Sequence, residues 1–100
     1  MVKILLCCAA GMSTSLLVEN MKKAAAEKGI EAKIWAVSEQ VVASQGDFDV
    51  LLLGPQIRYR LKAMEKEYGS KVPVAMIDMR MYGKMDGKGT LEFALGLLNK

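Results

Sequence analysis

Short apolar runs alternate with longer segments of helical periodicity along this chain of 100 residues. The first run, residues 2–7, is nearly continuous, which is typical of a strand buried on both faces. Further strands are predicted at 31–37, 49–53 and 72–77. Helices are predicted after Gly11 and up to Gly29, over 39–44 behind a Ser38 cap, from 57 to Gly69, and after a turn-rich stretch that contains Gly83, Gly87 and Gly89.

This alternation predicts an α/β fold: a three-layer sandwich in which helices cover both faces of a four-stranded parallel sheet. We expect a flavodoxin-like strand order of 2-1-3-4 within a single domain, residues 1–100, with the alternating segment 31–37 at one edge. In such a sheet, ligands bind at the carboxyl end of strand 1, where the winding direction reverses. The loop after strand 1 is therefore the place to look for chemistry.

The amino-acid composition argues against several classes of protein. The chain has no histidine, which excludes histidine-based acid–base catalysis and His-containing zinc sites within it. The two cysteines are adjacent, so we expect no disulfide, no metal site, no cofactor and a reducing compartment. A net charge of +3 with scattered cations gives no argument for nucleic-acid binding. No apolar run approaches the roughly 18 residues of a membrane helix, and residues 3–12 make a poor signal peptide, so a cytoplasmic protein is expected.

The loop after strand 1 predicts a phosphate site. Small residues and Gly11 let the chain curl, so that successive N–H groups point inward at the positive end of the next helix. Between Cys8 and Val18 there is no acidic side chain to compete for these donors. The predicted phosphate-binding residues are Ala9, Ala10, Gly11, Met12, Ser13, Thr14 and Ser15.

Cys8 is the candidate nucleophile of this loop. The same N–H groups would lower the pKa of its thiol below the free value of about 8.5, and an accessible thiolate facing a phosphate site could accept a phosphoryl group. The alternative is that Cys8 is only a small buried loop residue. For Cys7, expected to be the last strand residue with its side chain on the opposite face, a core position is the prediction.

The loop differs from the Cys-x5-Arg loop of phosphatases, whose arginine clamps the phosphoryl oxygens. Counted from Cys8 the arginine position holds Thr14, and counted from Cys7 it holds Ser13. Without the arginine, and without a histidine, the loop can hold a phosphoryl group but is poorly equipped to hydrolyse it. A carrier that passes the group to another acceptor fits these residues.

Other polar residues follow strands 3 and 4, at the predicted rim of the same crevice. Gln56 could orient a phosphoryl group or a partner, or simply begin a helix. Asp78 is expected to be a cap or turn residue, because a carboxylate would repel a phosphorylated cysteine. Tyr82 could shield the site but packing is the safer interpretation. Four cations could border the active face and attract an anionic partner, or be ordinary solvated charges: Arg58, Arg60, Arg80 and Lys84.

Residues 8–17, Cys-Ala-Ala-Gly-Met-Ser-Thr-Ser-Leu-Leu, resemble the active-site signature C-x-A-G-M-S-T-S-L-L. This signature is that of the EIIB component of the phosphoenolpyruvate-dependent sugar phosphotransferase system (PTS), in its lactose/cellobiose family. Residues 53–57 and 82–87 resemble two further stretches of that family in the same order. The loop is closer to the cellobiose/chitobiose branch than to the glycine-richer lactose type.

The resemblance implies a phosphocarrier with a fold similar to low-molecular-weight tyrosine phosphatases. Cys8 would accept a phosphoryl group from a phosphohistidine of EIIA and pass it to a disaccharide held by the membrane permease EIIC. A monomer that visits the inner face of the cell membrane is expected. Two alternatives remain open: an enzyme of the low-molecular-weight phosphatase or arsenate-reductase type, and a flavodoxin-like module that binds a nucleotide or FMN.

Overall fold

The computed structural model describes residues 1–8 and 12–99, with side chains from residue 14 onward in the second range. Its four strands are β1 (Val2–Cys8), β2 (Ala32–Ser38), β3 (Val50–Leu53) and β4 (Val74–Met76). Its α-helices are α1 (Met12–Glu27), α2 (Leu61–Tyr68), α3 (Met79–Gly83) and α4 (Gly87–Leu98). Two 3₁₀ segments, Glu39–Gln45 and Pro55–Arg60, follow β2 and β3.

The strands form one parallel sheet in the order β2-β1-β3-β4, which confirms the predicted topology. β1 is central and pairs along its whole length with β2, from Val2 opposite Ala32 to Cys8 opposite Ser38. Its other side pairs with β3, where Cys7 lies opposite Leu53. The alternating segment is therefore the edge strand, as its mixed pattern indicated.

Helices cover both faces of the sheet because residues of β1 and β3 alternate between two separate cores. On one face, Ile4 and Leu6 pack in a cluster with residues of α1 and α4. On the other face, Leu5 and Cys7 pack with Met64 of α2 and residues of the two 3₁₀ segments. The predicted three-layer arrangement is confirmed, and both layers hold β1 in the middle of the molecule.

Local boundaries differ from the predictions where backbone geometry is decisive. β1 extends one residue further than expected, so Cys8 rather than Cys7 ends the strand. The predicted Ser38 cap is wrong, because the Ser38 side chain makes no capping hydrogen bond. The helix predicted from residue 57 is broken: Ile57 has a non-helical φ of −117° and ψ of 29°, and α2 begins only at Leu61. Gly29, with a φ of 69°, follows α1 as expected.

The stretch predicted as turn-rich contains helical structure instead. α3 occupies Met79–Gly83, and Gly87 and Gly89 lie within α4. Gly87 is there because α4 crosses α1 very closely: a Cβ atom on it would lie 2.3 Å from the carbonyl carbon of Asn20. Asp86 caps α4 by accepting a hydrogen bond from the Gly89 N–H at 2.9 Å. Residues 82–87, one of the stretches that resemble the family, thus join α3 to α4 and fix α4 against α1.

Candidate functional site

The carboxyl ends of the four parallel strands meet at one edge of the sheet, and Cys8 lies there at the end of the central strand. β1 has β2 on one side and β3 on the other, so the chain winds away from it in both directions. α1 begins shortly afterwards at Met12. Cys8 therefore occupies the position where ligands bind in folds of this type.

The two adjacent cysteines have different surroundings. Cys7 is fully buried in the core beneath α2, as predicted. Burial raises the pKa of its thiol to about 12, with a smaller contribution from the negative charge of Glu39. Cys7 therefore remains a neutral thiol at physiological pH and is a poor nucleophile. Cys8 belongs to neither apolar cluster among the described residues.

Cys8 is 2% exposed, so the expectation of an accessible side chain is wrong for this structure. One of its close neighbours is Gly54, which directly follows β3. A Cβ atom placed on Gly54 would lie 3.3 Å from the Cβ of Cys8. The Gly54 N–H also donates to the Cys7 carbonyl at 2.8 Å, which keeps the two chain segments together. Any reaction at the Cys8 sulfur requires that covering atoms move aside.

The first turn of α1 carries no acidic residue, in agreement with the sequence argument. Thr14 in this turn is fully buried, and its hydroxyl makes no hydrogen bond within the part of the chain that the structure describes. An unpaired buried hydroxyl costs about 1–3 kcal/mol, so it calls for an explanation. Ser15 is exposed. Ala9, Ala10 and Gly11 lie outside the described residues, as do the side chains of Met12 and Ser13.

The side chain of Gln56 lies close to Gly54, the residue that packs against Cys8. Its terminal oxygen lies 2.8 Å from the position that a Cβ of Gly54 would take. The same side chain lines a cleft of about 330 Å³ together with Pro55, Met79, Tyr82 and Gly83. Gln56 thus lines this cleft, and its terminal oxygen and the Cβ of Cys8 both lie close to the same side of Gly54. Sequence reasoning missed Gly54 as a site residue, although a glycine directly after a buried strand is a signal of close approach.

Asp78 is the N-cap residue of α3, and Tyr82 lies within that helix. Asp78 accepts a hydrogen bond from the Arg80 N–H at 2.7 Å and so caps the helix, as expected. Tyr82 is largely buried, and it lines the cleft beside Gln56. These contacts give both residues structural tasks at the same edge of the sheet.

The cations of this region are mostly exposed. Of the four candidates, Arg58, Arg80 and Lys84 are exposed. Arg60 is partly buried, and its Nε donates a hydrogen bond to a Glu39 carboxylate oxygen at 2.8 Å. Three apolar side chains that also follow strands or begin helices here are strongly exposed: Leu16, Tyr59 and Met79. The rim of the site therefore combines positive charge with exposed apolar surface.

A larger depression of about 1150 Å³ lies at the opposite end of the molecule, around Lys3, Asp49 and Pro73. It is next to the amino ends of the strands, and it contains neither cysteine. Within residues 1–8 and 12–99, no group of three or more His, Cys, Asp or Glu side chains is placed to bind a metal ion. No helix in that same part of the chain has the length and apolar character needed to cross a membrane. The candidate functional site is therefore the edge of the sheet at which Cys8 lies.

A doubly wound parallel sheet with a cysteine at its switch point defines the class: α/β proteins of flavodoxin-like topology. Comparison with known families makes the assignment specific. The family model described as "PTS system, Lactose/Cellobiose specific IIB subunit" matches residues 3–93. The chain belongs to this family, whose members are sugar phosphotransferase subunits.

Relatives support the same assignment over nearly the whole chain. The oligo-beta-mannoside-specific EIIB component of Bacillus subtilis is 44% identical over 100 residues, which cover 98% of this chain and 97% of that protein. The galactose-specific EIIB component of Lactococcus lactis subsp. cremoris is 45% identical over 103 aligned residues, covering 96% and 95%. These similarities do not favour the phosphatase or arsenate-reductase alternative.

Solved structures confirm the fold. The solution structure of a cellobiose-specific IIB component from Borrelia burgdorferi has a TM-score of 0.81 and 40% identity, and it covers 98% of this chain and 92% of that one. The lactose-specific IIB domain from Streptococcus pneumoniae has a TM-score of 0.84 with 17% identity, covering 96% of each chain. The second similarity concerns the fold alone.

Proposed function

We propose that this protein is the phosphocarrier of a bacterial sugar uptake system and that Cys8 is the residue that carries the phosphoryl group. The observation that carries the proposal is the position of Cys8 at the carboxyl end of the central strand, ahead of a helix whose first turn lacks acidic residues. A phosphoryl group on Cys8 would meet the positive end of the α1 dipole. Ala9 to Ser15 are proposed to supply N–H and hydroxyl donors to it.

Cys8 is the better acceptor of the two cysteines for a physical reason. Attack on phosphorus requires a thiolate, and the raised pKa of Cys7 keeps that side chain protonated. Cys7 also faces the core beneath α2, where a phosphoryl group has no room. The proposal therefore assigns the reaction to Cys8 alone.

The phosphoryl group is proposed to be transferred twice, first to Cys8 and then from Cys8 to the sugar. The Cys8 thiol loses its proton, its sulfur attacks the phosphorus of a phosphohistidine on EIIA, and the N–P bond breaks as the S–P bond forms. The released imidazole takes up one proton. In the second step a sugar hydroxyl oxygen attacks the same phosphorus, the S–P bond breaks, and the hydroxyl proton returns to the sulfur.

Burial of Cys8 adds a requirement to this scheme. Because only 2% of the Cys8 residue is exposed, a bulky phosphohistidine cannot reach the sulfur in the structure as it stands. Docking of EIIA, and later of EIIC, is proposed to uncover it. The exposed apolar side chains and cations at the rim are suited to such protein contacts.

The chain is proposed to transfer the phosphoryl group rather than release it to water. Thr14 stands where a phosphatase loop has its arginine, and the chain contains no histidine to activate water. The Thr14 hydroxyl, which is buried and has no hydrogen-bond partner among the described residues, is well suited to donate to a phosphoryl oxygen instead. Hydrolysis should therefore be slow compared with transfer to the sugar.

The names of the relatives suggest the substrate class. They are specific for oligo-beta-mannoside, galactose and cellobiose, and the loop is of the cellobiose/chitobiose type. We propose a β-linked disaccharide, bound by EIIC, as the final acceptor. The protein is proposed to act as a monomer in the cytoplasm and to visit the membrane only when it docks on EIIC.

The test is phosphorylation by the EIIA protein of the same sugar system. After incubation with phosphorylated EIIA, the mass of the intact wild-type protein should increase by one phosphoryl group. Cys7→Ala should be labelled in the same way, and Cys8→Ser should not be. Equal labelling of Cys8→Ser would refute the proposal, and rapid turnover of an aryl phosphate by the wild type would favour the phosphatase alternative.

A further inference from the structure

Gln56 has a position that the proposed reaction does not yet explain. Both its terminal oxygen and the Cβ of Cys8 are close to the same point, the place where a side chain on Gly54 would begin: the distances are 2.8 Å and 3.3 Å. The two atoms therefore lie no further apart than the sum of those distances. A phosphoryl group attached to the Cys8 sulfur would occupy space within reach of the Gln56 amide.

The backbone holds Gln56 at this place. The N–H of Gly54 donates to the Cys7 carbonyl at 2.8 Å, and the N–H of Ile57 donates to the Gly54 carbonyl at 3.1 Å. Ile57 itself is fully buried in the core beneath α2. Gly54 and Ile57, which flank the Pro55-Gln56 pair, are thus held by β1 and by the core.

The chemistry of this side chain suits a phosphoryl group. Within the described part of the chain, the amide of Gln56 forms no hydrogen bond, so both of its N–H groups are available to a ligand. An amide donates without carrying a negative charge, whereas a carboxylate here would repel a phosphoryl dianion. Asp78, an acidic residue that follows β4, is engaged in capping α3.

We infer that Gln56 is a phosphoryl ligand: its side-chain amide turns and donates a hydrogen bond to an oxygen of the phosphoryl group on Cys8. Gly54 provides the room for this contact, because any larger residue there would press on the Gln56 amide. The inference rests on the proposed phosphorylation of Cys8 and adds the residue that binds the group from the side of β3. Gln56 is expected to favour both formation of the phosphocysteine and its persistence in water.

The first test changes the amide itself. Gln56→Ala and Gln56→Glu are compared with wild type for the rate of phosphorylation by phosphorylated EIIA and for the ³¹P chemical shift of the product. Gln40→Glu is the matched control, because it places the same charge on an exposed glutamine of the 3₁₀ segment after β2. A hydrogen bond to a charged group corresponds to a rate loss of about tenfold or more in Gln56→Ala. Gln56→Glu should lose more, and Gln40→Glu should match wild type in both rate and ³¹P shift.

The second test displaces the amide without removing it. The Cβ of Gly54→Ala would meet the terminal oxygen of Gln56 at 2.8 Å, and a φ of −66° accepts alanine without strain. Gly54→Ala should slow phosphorylation in the wild type but have a clearly smaller effect in the Gln56→Ala background. Unfolding curves of all variants would show whether each is folded under the assay conditions.

The outcomes separate the inference from the proposed function. If wild type is not phosphorylated on Cys8, the proposed function fails. If wild type is phosphorylated but folded Gln56→Ala and Gln56→Glu match it in rate and ³¹P shift, the function stands and the Gln56 assignment is overturned. Equal effects of Gly54→Ala in both backgrounds would likewise contradict the role given to Gly54.

Discussion

Thr14 offers a test in which stability and function should change in opposite directions. Its side chain is fully buried, and its hydroxyl makes no hydrogen bond to any described residue. Valine has almost the same shape and similar helix propensity but needs no partner. Because an unsatisfied buried hydroxyl costs about 1–3 kcal/mol, Thr14→Val should stabilise the unphosphorylated protein by about 1 kcal/mol. For a domain of this size, that corresponds to a rise in Tm of about 4–8 °C.

The phosphorylated protein should respond differently to Thr14→Val. If the hydroxyl donates to the phosphoryl group on Cys8, its loss removes a hydrogen bond to a charged group, worth about 1.5–3 kcal/mol. The equilibrium constant for transfer from phosphorylated EIIA to Cys8 should then fall about tenfold or more. Thermal unfolding of the free protein and quantitative mass spectrometry of the phosphorylated fraction measure the two effects.

Thr90 provides the matched control. It is also fully buried, and its hydroxyl makes no hydrogen bond to a residue that the structure describes, but it lies in α4 and not in the first turn of α1. Thr90→Val should raise Tm as Thr14→Val does and leave phosphorylation unchanged. A folded Thr14→Val protein that is phosphorylated to the wild-type extent would refute the role of this hydroxyl.

Two further predictions concern the contact between α4 and α1 and the burial of Cys7. Gly87→Ala should destabilise the protein by about 1–3 kcal/mol, since its Cβ would lie 2.3 Å from the backbone of Asn20. A Cβ on Gly83 would meet no atom of the described residues within 4 Å beyond its own helix and chain neighbours, so Gly83→Ala should be neutral or slightly stabilising. Urea unfolding of the pair checks this, and equal midpoints would contradict it. The pKa of Cys7, raised from 9.0 to about 12, contributes stability that is fully present below pH 9 and lost toward pH 12. Between these values the unfolding free energy of wild type should fall by up to about 1.4 kcal/mol per pH unit more steeply than that of Cys7→Ala, and identical slopes would show that the shift is absent.

The sheet could be predicted from the sequence because its order depends on patterns that extend over many residues. The apolar run of β1, the alternation of β2 and the regular change between strand and helix leave few topologies open. The position of Cys8 followed from that order, since the switch point is fixed once β1 is central. The long-range pattern therefore determined at which end of the molecule Cys8 lies.

Features that depend on close contact were not predictable. The break at Ile57 and the helix Met79–Gly83 depend on packing that local spacing does not reveal. Gly87 was interpreted as a turn residue because nothing in its own neighbourhood shows that α1 passes against it. The close approach of Gly54 to Cys8 has the same origin, since the two residues are distant in sequence. Tertiary contact overrode local preference at each of these positions.

The most direct measurement locates the phosphoryl group on the chain. Tryptic cleavage after Lys3 and Lys22 yields one peptide that contains both cysteines and all three hydroxyl residues of the loop, so fragmentation of the phosphorylated form can distinguish them. Fragments that contain Cys8 should carry the added phosphoryl mass, whereas fragments that end at Cys7 and those that begin at Ser13 should not. A phosphoryl group on Cys7, or on Ser13, Thr14 or Ser15, would contradict it.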